Sequence, residues 1–160
     1  MSKKVLITEQ ILTNTINAII NVSKHQQGTL ANYIDRSITS FENSAITNIG
    51  ENAFNSYETL TTVSLPNATS IGFNAFGYCS ALTAVSLPNV TSIGDYAFCD
   101  NLALTTISLP KATSIGDHTF SYSSALTEIH FAKANQATIE ALSGYSSKFG
   151  AKNATIYFDL

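Results

Sequence analysis

The sequence predicts an α/β solenoid, a right-handed coil in which short parallel strands stack turn upon turn. A 22-residue repeat between residues 45 and 132 is the main observation behind this prediction. Stacked repeats bury one continuous core that no single copy could bury alone. Four positions keep their register through all four copies: Ile49, Ile71, Ile93 and Ile115; Gly50, Gly72, Gly94 and Gly116; Phe54, Phe76, Phe98 and Phe120; Leu60, Leu82, Leu104 and Leu126.

Each copy contains a short strand that ends at a proline. In the first copy Val63 and Leu65 are predicted to face the core, whereas Thr62 and Ser64 face solvent, because side chains alternate along a strand. Proline lacks the N–H that would continue the ladder, so the chain must turn there. In three copies the strand is followed by Pro66, Pro88 and Pro110.

A second, shorter extended stretch is expected over Thr69–Gly72, ahead of Phe76. The following Asn74–Phe76 predicts about one helical turn that places Phe76 in the interior. Asp95 and Asp117 stand just after the glycine, where an acidic side chain suits the N-cap of such a turn. The spacing of each whole copy is that of a leucine-rich repeat.

The pattern L-x-x-V-x-L-P followed by T-S-I-G-x-x-A-F resembles the BspA-type leucine-rich-repeat family, and Cys79–Leu82 adds the family's Cys-Ser-Ala-Leu. The resemblance covers the repeated region. The chain departs from the family at Tyr57, Asn101 and Ser123, where the family has cysteine, and Phe131–Ala132 replaces Leu-Pro in the last copy. The family is associated with adhesion to host and matrix proteins, which implies surface recognition here.

Three parts are expected within one compact domain: a helical N-terminal cap (1–39), the leucine-rich-repeat array (40–133) and a helix-strand C-terminal cap (134–160). The caps are expected because an open stack would expose apolar ends and unpaired strand edges. Apolar spacing predicts N-terminal helices over Thr8–Val22 and Thr29–Ser37. Ile38 and Phe41, which lie one period before Leu60 and Val63, predict a degenerate half-repeat.

The C-terminal cap is predicted to begin with a helix capped by Asn135. Its apolar residues Ile139 and Leu142 extend toward Tyr145 and Phe149, and a glycine follows as a stop. The final stretch 154–158 alternates as a strand, so we expect it to pair with the strand at 128–131.

Charge and hydropathy exclude several functional classes. Eight Lys and Arg stand against eleven Asp and Glu, for a net charge of -3. Because the basic residues are scattered, nucleic acid is not an expected partner. No apolar stretch is long enough to insert into a membrane, and the first ten residues lack a signal-peptide core. A looser resemblance to prophage-encoded proteins of gut bacteria implies a virion-associated location, with the cell surface as the other possibility.

No catalytic residue set, metal site or cofactor motif is predicted, and the chain is not expected to be an enzyme. His130 and Glu128 face the same way on the last repeat strand and could titrate together, but we favour ordinary solvent-facing substitutions over an acid-base or metal pair. The row formed by Glu51, Asp95 and Asp117 is likewise assigned to capping rather than to a cation.

Cys79 and Cys99 differ in register by two residues. Because a disulfide requires closely placed cysteines, we expect two free thiols.

The favoured function is a non-enzymatic binding module of the adhesion type. Repeat solenoids present an extended strand surface, which here is small, polar and almost uncharged. The ligand is expected to be a protein or a glycan; the alternative is a structural or assembly component of a phage tail or surface particle. This predicted surface, called the strand face below, consists of Thr62, Ser64, Ala84, Ser86, Thr106, Ser108, Glu128 and His130.

Overall fold

The computed structural model of the protein describes Arg36 and residues 38–160. The chain divides into two compact units, residues 1–35 and 36–160. The predicted N-terminal helices over Thr8–Val22 and Thr29–Ser37 lie outside the described residues, apart from Arg36, and stay predictions. Within the described part, no helix is both long and apolar enough to cross a bilayer.

Residues 38–160 form a solenoid of parallel strands, as predicted. The described strands are β1 (Ser40–Glu42), β2 (Asn48–Ile49), β3 (Thr62–Ser64), β4 (Ser70–Ile71), β5 (Ala84–Ser86), β6 (Ser92–Ile93), β7 (Thr106–Leu109), β8 (Ser114–Ile115), β9 (Glu128–Phe131) and β10 (Thr155–Phe158). The longer strands make two three-stranded sheets, β1-β3-β5 and β7-β9-β10, and the two-residue strands make one sheet, β2-β4-β6-β8.

Strand register follows the sequence repeat. Val63 of β3 pairs with Val85 of β5, and Ile107 of β7 pairs with Ile129 of β9. Phe41 of β1 pairs with Val63, so the predicted half-repeat is confirmed as an additional strand. The long strands form two separate sheets, since β5 and β7 are not hydrogen-bonded neighbours. The short strands form one continuous sheet past this break.

A stack of buried phenylalanines forms the centre of the core, as the repeat predicts. Ring centroids lie 5.1 Å apart for Phe54 and Phe76, 5.4 Å for Phe76 and Phe98, and 6.0 Å for Phe98 and Phe120. All four side chains are almost completely buried. Aromatic pairs of this kind contribute about 0.5–1.5 kcal/mol beyond the area they bury.

The predicted helical turn around Asn74 is wrong. Asn74 and Tyr78 have φ angles of 52° and 61°, so the segment is a pair of tight turns. Its alternate N–H groups donate to the next coil: Asn74 N to Asp95 O at 3.0 Å, and Phe76 N to Ala97 O at 2.8 Å. A helix would use these donors internally. The demand for bonds between coils therefore overrides local helix formation.

Because the helical turn is absent, the predicted N-cap roles of Asp95 and Asp117 are also wrong. The Asp95 carboxylate instead accepts a hydrogen bond from the backbone N–H of Asp117 on the next coil, at 2.9 Å. The Asp117 carboxylate accepts one from the Ser143 hydroxyl at 3.1 Å. Both acidic side chains thus connect successive layers of the stack.

In the second, third and fourth repeats, the cysteine position supplies a buried donor to the preceding coil. Cys79 Sγ donates to Phe54 O at 3.1 Å, Asn101 Nδ2 to Phe76 O at 3.0 Å, and Ser123 Oγ to Phe98 O at 2.8 Å. Because buried carbonyl groups need partners, this column is a structural requirement. Asn101 and Ser123, which replace cysteine, therefore keep the same hydrogen bond.

Both thiols are free, as predicted. Burial raises the pKa of Cys79 to about 12 and that of Cys99 to about 11. Each is therefore protonated and a poor nucleophile near neutral pH.

The C-terminal cap confirms the predicted strand and shortens the predicted helix. Strand β10 pairs with β9 in parallel, with Thr155 opposite Glu128. The α-helix covers only Gln136–Glu140, after a 3-10 turn at Lys133–Asn135. The Asn135 side chain makes no capping bond, because its amide group donates to Ala112 O at 3.1 Å on the preceding coil. Phe149 nevertheless reaches the core.

We predict that Gly94→Ala destabilises the stack by about 1–3 kcal/mol, the usual cost of overpacking. A Cβ at residue 94 would lie 2.8 Å from Gly72 C and 2.8 Å from Phe73 N, both backbone atoms that cannot move aside cheaply. Ser92→Ala, on the exposed side of β6, is the matched control. The test is urea denaturation, and equal midpoints for the two variants would contradict the prediction.

We also expect Ser123→Ala to destabilise the protein by about 1–3 kcal/mol, since it leaves a buried carbonyl without its donor. The Ser123 hydroxyl also accepts from Asn101 N at 3.1 Å, so two bonds are lost together. The exposed neighbour variant Ser124→Ala should leave the unfolding midpoint unchanged. An unchanged midpoint for Ser123→Ala would show that the column is dispensable.

Candidate functional site

The strand face is arranged as two parallel columns. Register places Thr62 beside Ala84 and Thr106 beside Glu128 in one column, and Ser64, Ser86, Ser108 and His130 follow the same pairing in the other. Most of these side chains are exposed, and the remainder are half-buried. The structure brings the predicted residues together in two groups of four, one on each half of the long-strand sheets.

A shallow groove follows the first of these halves. It has a volume of about 330 Å³ and is lined by residues of β1, β3 and β5. Val85 of β5 is half-buried here, although the equivalent Val63 and Ile107 are buried. The groove therefore includes an apolar side chain, Val85, that the alternating pattern of the strand predicts to be buried.

His130 is the centre of a polar cluster at the other end of the strand face. Its Nδ1 lies 2.8 Å from Asp159 Oδ1, and its Nε2 lies 3.5 Å from Glu128 Oε2. The ring stacks on Tyr157 at a centroid distance of 4.9 Å. The hydrogen bond to Asp159 is the main cause that raises the pKa of His130, against an opposing effect of burial.

This geometry indicates an electrostatic contact between His130 and Glu128 of β9 and Asp159, which follows β10. We call this contact the clasp of His130. The two carboxylates contact opposite nitrogens of one imidazole, so they do not converge on a common cation. Among the described residues, no group of three or more His, Cys, Asp or Glu side chains could hold a metal ion. Glu128 and His130 do form the pair that the sequence suggested. Asp159 was missed because only the docking of β10 brings it near.

Exposed aromatic side chains lie on a different surface, the turns between the short strands and the long ones. We call this surface the turn face. Phe73 and Tyr96 lie 6.0 Å apart, and Tyr96 stacks on His118 at 5.2 Å. Sequence analysis missed this surface because it assigned the turns to helix, although these positions vary between copies while their neighbours do not. Its exposed aromatic residues are Phe73, Tyr78, Tyr96 and Tyr122.

Comparison with known families and structures agrees with this geometry. The family described as the BspA type leucine rich repeat region matches residues 47–149, in six copies. The chain belongs to the BspA-type leucine-rich-repeat family. No curated protein matches the chain in sequence.

Solved structures of bacterial leucine-rich-repeat proteins have the same fold. A T. pallidum leucine rich repeat protein is 21% identical with a TM-score of 0.61, over 80% of this chain and 72% of its own. A leucine rich cell surface protein from Faecalibacterium prausnitzii is 20% identical with a TM-score of 0.61, over 76% of this chain. The pneumococcal vaccine antigen PcpA is 22% identical with a TM-score of 0.56, over 59% of this chain.

The chain spans only part of two of these relatives, 32% of the F. prausnitzii protein and 24% of the pneumococcal antigen. At these identities the likeness shows the fold. It leaves the ligand to be argued from the surfaces of this chain.

We predict that the clasp of His130 stabilises the fold at low pH and weakens as pH rises. A raised folded pKa means that this stabilisation is complete below the unfolded value of about 6.5 and is lost through the folded pKa. The free energy of unfolding should differ by under about 1 kcal/mol between the two ends of this pH range, as for other exposed ion pairs. Asp159→Asn should weaken this dependence strongly, with Glu128 left as the remaining partner, whereas Glu58→Gln, at an exposed acid elsewhere, should retain it in full. Denaturant unfolding from pH 6 to about 8 tests this, and parallel curves for wild type and Asp159→Asn would refute it.

Proposed function

We propose that the protein is a non-enzymatic, adhesion-type module that binds a protein ligand on the strand face. The observation that supports this most directly is the register of the strands, which aligns exposed small side chains in two columns within each half of the long-strand sheets. Small side chains leave the surface flat, so a ligand can approach the sheet along several strands at once. Solenoids use such extended surfaces for binding.

The chemistry of the strand face favours moderate affinity. Its exposed residues are mainly Ser and Thr, and Tyr157 adds one aromatic ring beside His130. Tyr, Trp and Arg dominate tight interfaces, and this surface has few of them. Several copies on one particle or cell would raise the effective affinity through multivalency. A surface location, on a cell or a virion, would supply that multivalency.

Two features support a binding role over catalysis. Carboxylates contact both nitrogens of His130, and the hydroxyl of Thr106, which lies beside Glu128 in the strand register, donates to Glu128 at 3.4 Å. Both cysteines are buried and protonated at neutral pH. A nucleophile needs a base within hydrogen-bond reach, and these groups do not provide such a pair. Among the described residues Ser121 Oγ does lie 3.1 Å from His118 Nδ1, but the Ser121 side chain is buried.

The assembly role stays a second prediction. It requires a defined oligomer, since a spacer or decoration protein acts through contacts between copies or with a particle. Size-exclusion chromatography with light scattering separates the two proposals. A monomer over a wide concentration range supports the binding module, and a stable oligomer of fixed size supports assembly.

We predict that Ser86→Arg combined with Ser108→Arg abolishes ligand binding without loss of stability. Both serines are exposed on the strand face, so two arginines add bulk and charge where a ligand must approach closely. The matched control is Ser92→Arg with Ser114→Arg, which places the same change on the sheet of short strands.

The assay is binding to immobilised arrays of extracellular-matrix proteins, plasma proteins and neutral glycans. Wild type and control should bind one or more proteins, and the strand-face variant should not. Equal binding by all three, selective binding to neutral glycans, or no binding by wild type would each refute the proposal.

A further inference from the structure

A second cavity lies at the C-terminal end of the array, away from the strand face. Its volume is about 590 Å³, within the range of small-molecule sites. Residues 118–124 of the last repeat form one wall and residues 146–153 of the cap form the other. We call it the end cavity.

The charged residues of the end cavity are basic. Lys148 and Lys152 line it, together with His118, and no Asp or Glu is among the lining residues. Within the described residues, the only ion pairs involve His130, so neither ammonium group has a carboxylate partner there. The nearby Asp117 carboxylate accepts a bond from Ser143. A positive cavity in a chain of net charge -3 attracts an anion locally.

The backbone of the cap wall is held in an uncommon conformation. Lys148 and Phe149 both have φ of 52°, and Gly150 follows with φ of 89°. For a non-glycine residue this conformation costs about 1–2 kcal/mol. It buries the Phe149 ring in contact with Phe131 and leaves Lys148 on the cavity wall. The same positive φ recurs in the turns of the array, for example at Asn74 and Tyr78, so the conformation positions Lys148 but does not by itself mark a ligand site.

Gly150 fixes the distance between the two walls. A Cβ at this position would collide with the Ser121 side chain and would lie 2.9 Å from the Ser121 backbone N. The cap and the last repeat are also joined by Phe120 N donating to Phe149 O at 2.9 Å. The basic residues are thus carried on a wall that is packed firmly against the array.

Hydroxyl groups and one aromatic ring complete the lining. Tyr122 is 72% exposed, the largest exposure among the aromatic side chains of the described core and turns. Ser124 and Ser146 offer exposed hydroxyls, and Asn153 lies beside them. A flat ring next to several hydroxyls suits a sugar, whose apolar face packs on an aromatic ring while its own hydroxyls form hydrogen bonds.

We propose that the end cavity binds an acidic saccharide, a sugar unit that bears a carboxylate or sulfate group. Lys148 and Lys152 bind the anionic group as point charges, and the Tyr122 ring packs against the sugar. The cavity exceeds the size of a bare inorganic anion, so the hydroxyl groups contribute to recognition. This site is separate from the strand face and extends the proposed function with a second ligand class.

The experiment measures binding of sialyllactose and of a sulfated disaccharide by calorimetry, with lactose and inorganic sulfate as reference probes. Acidic saccharides should bind, and raising the salt concentration should weaken them. Lysine removal uses Lys148→Asn with Lys152→Gln, since asparagine already occupies this backbone conformation at Asn52 and Asn74. We expect affinity to fall by about tenfold or more.

Ring removal uses Tyr122→Ser, because serine holds the equivalent position at Ser56 with a φ of 61°. We expect affinity for acidic saccharides to fall severalfold while affinity for inorganic sulfate is unchanged. The matched controls are Lys111→Gln with Lys133→Gln, which removes the same charge elsewhere, and Tyr78→Ser, which removes an exposed ring at the same register. Thermal melts establish that each variant is folded.

Four results would overturn the proposal: no binding of either acidic saccharide to wild type, equal binding of lactose, equal binding of inorganic sulfate, or equal losses in the control variants. These outcomes are distinct from failure of the strand-face proposal. The Ser86→Arg and Ser108→Arg changes lie outside the end cavity lining and should leave saccharide affinity unchanged.

Discussion

The whole structure depends on backbone hydrogen bonds between successive coils, which hold every layer in one register. Short strands of two to four residues form few bonds within a coil, so the N–H and C=O groups must find partners one repeat away. Even the turns follow this rule, with Phe98 N donating to Thr119 O at 2.9 Å. Each coil is therefore the template for the next, which explains why the sequence repeats so strictly.

Side chains extend the same network where the backbone alone would leave groups unpaired. Threonine hydroxyls donate to the carbonyl one coil earlier, from Thr83 to Thr61 and from Thr91 to Thr69, each at 3.1 Å. In the interior, Asn101 meets Phe76 O but leaves its own Oδ1 without a partner among the described residues. Cysteine or serine at this position avoids that cost, because neither carries a second buried polar group.

The sequence predicts those features that a fixed period can encode. Strand register, the phenylalanine stack and the additional strand at Phe41 follow from positions counted along one repeat. The turns did not, because positive φ at residues such as Asn74 and Tyr78 is set by bonds to the next coil and not by local propensity. The contact of Asp159 with His130 could not be predicted from the sequence for a related reason. It meets His130 only after a strand outside the repeat has docked.

The same register separates structural positions from variable ones and locates the two candidate surfaces. Positions that touch a neighbouring coil, such as Gly94, have almost no freedom, while exposed strand-face positions such as Ser86 can change without a clash with the next coil. The cap departs from the 22-residue period. That period would pair residue 150 with Glu128, but Thr155 pairs with it instead. The extra residues precede β10, where Phe149 and Gly150 pack on the last coil and Lys148 and Lys152 line the end cavity. A periodic stack offers flat surfaces, and a concave site arises where its period ends.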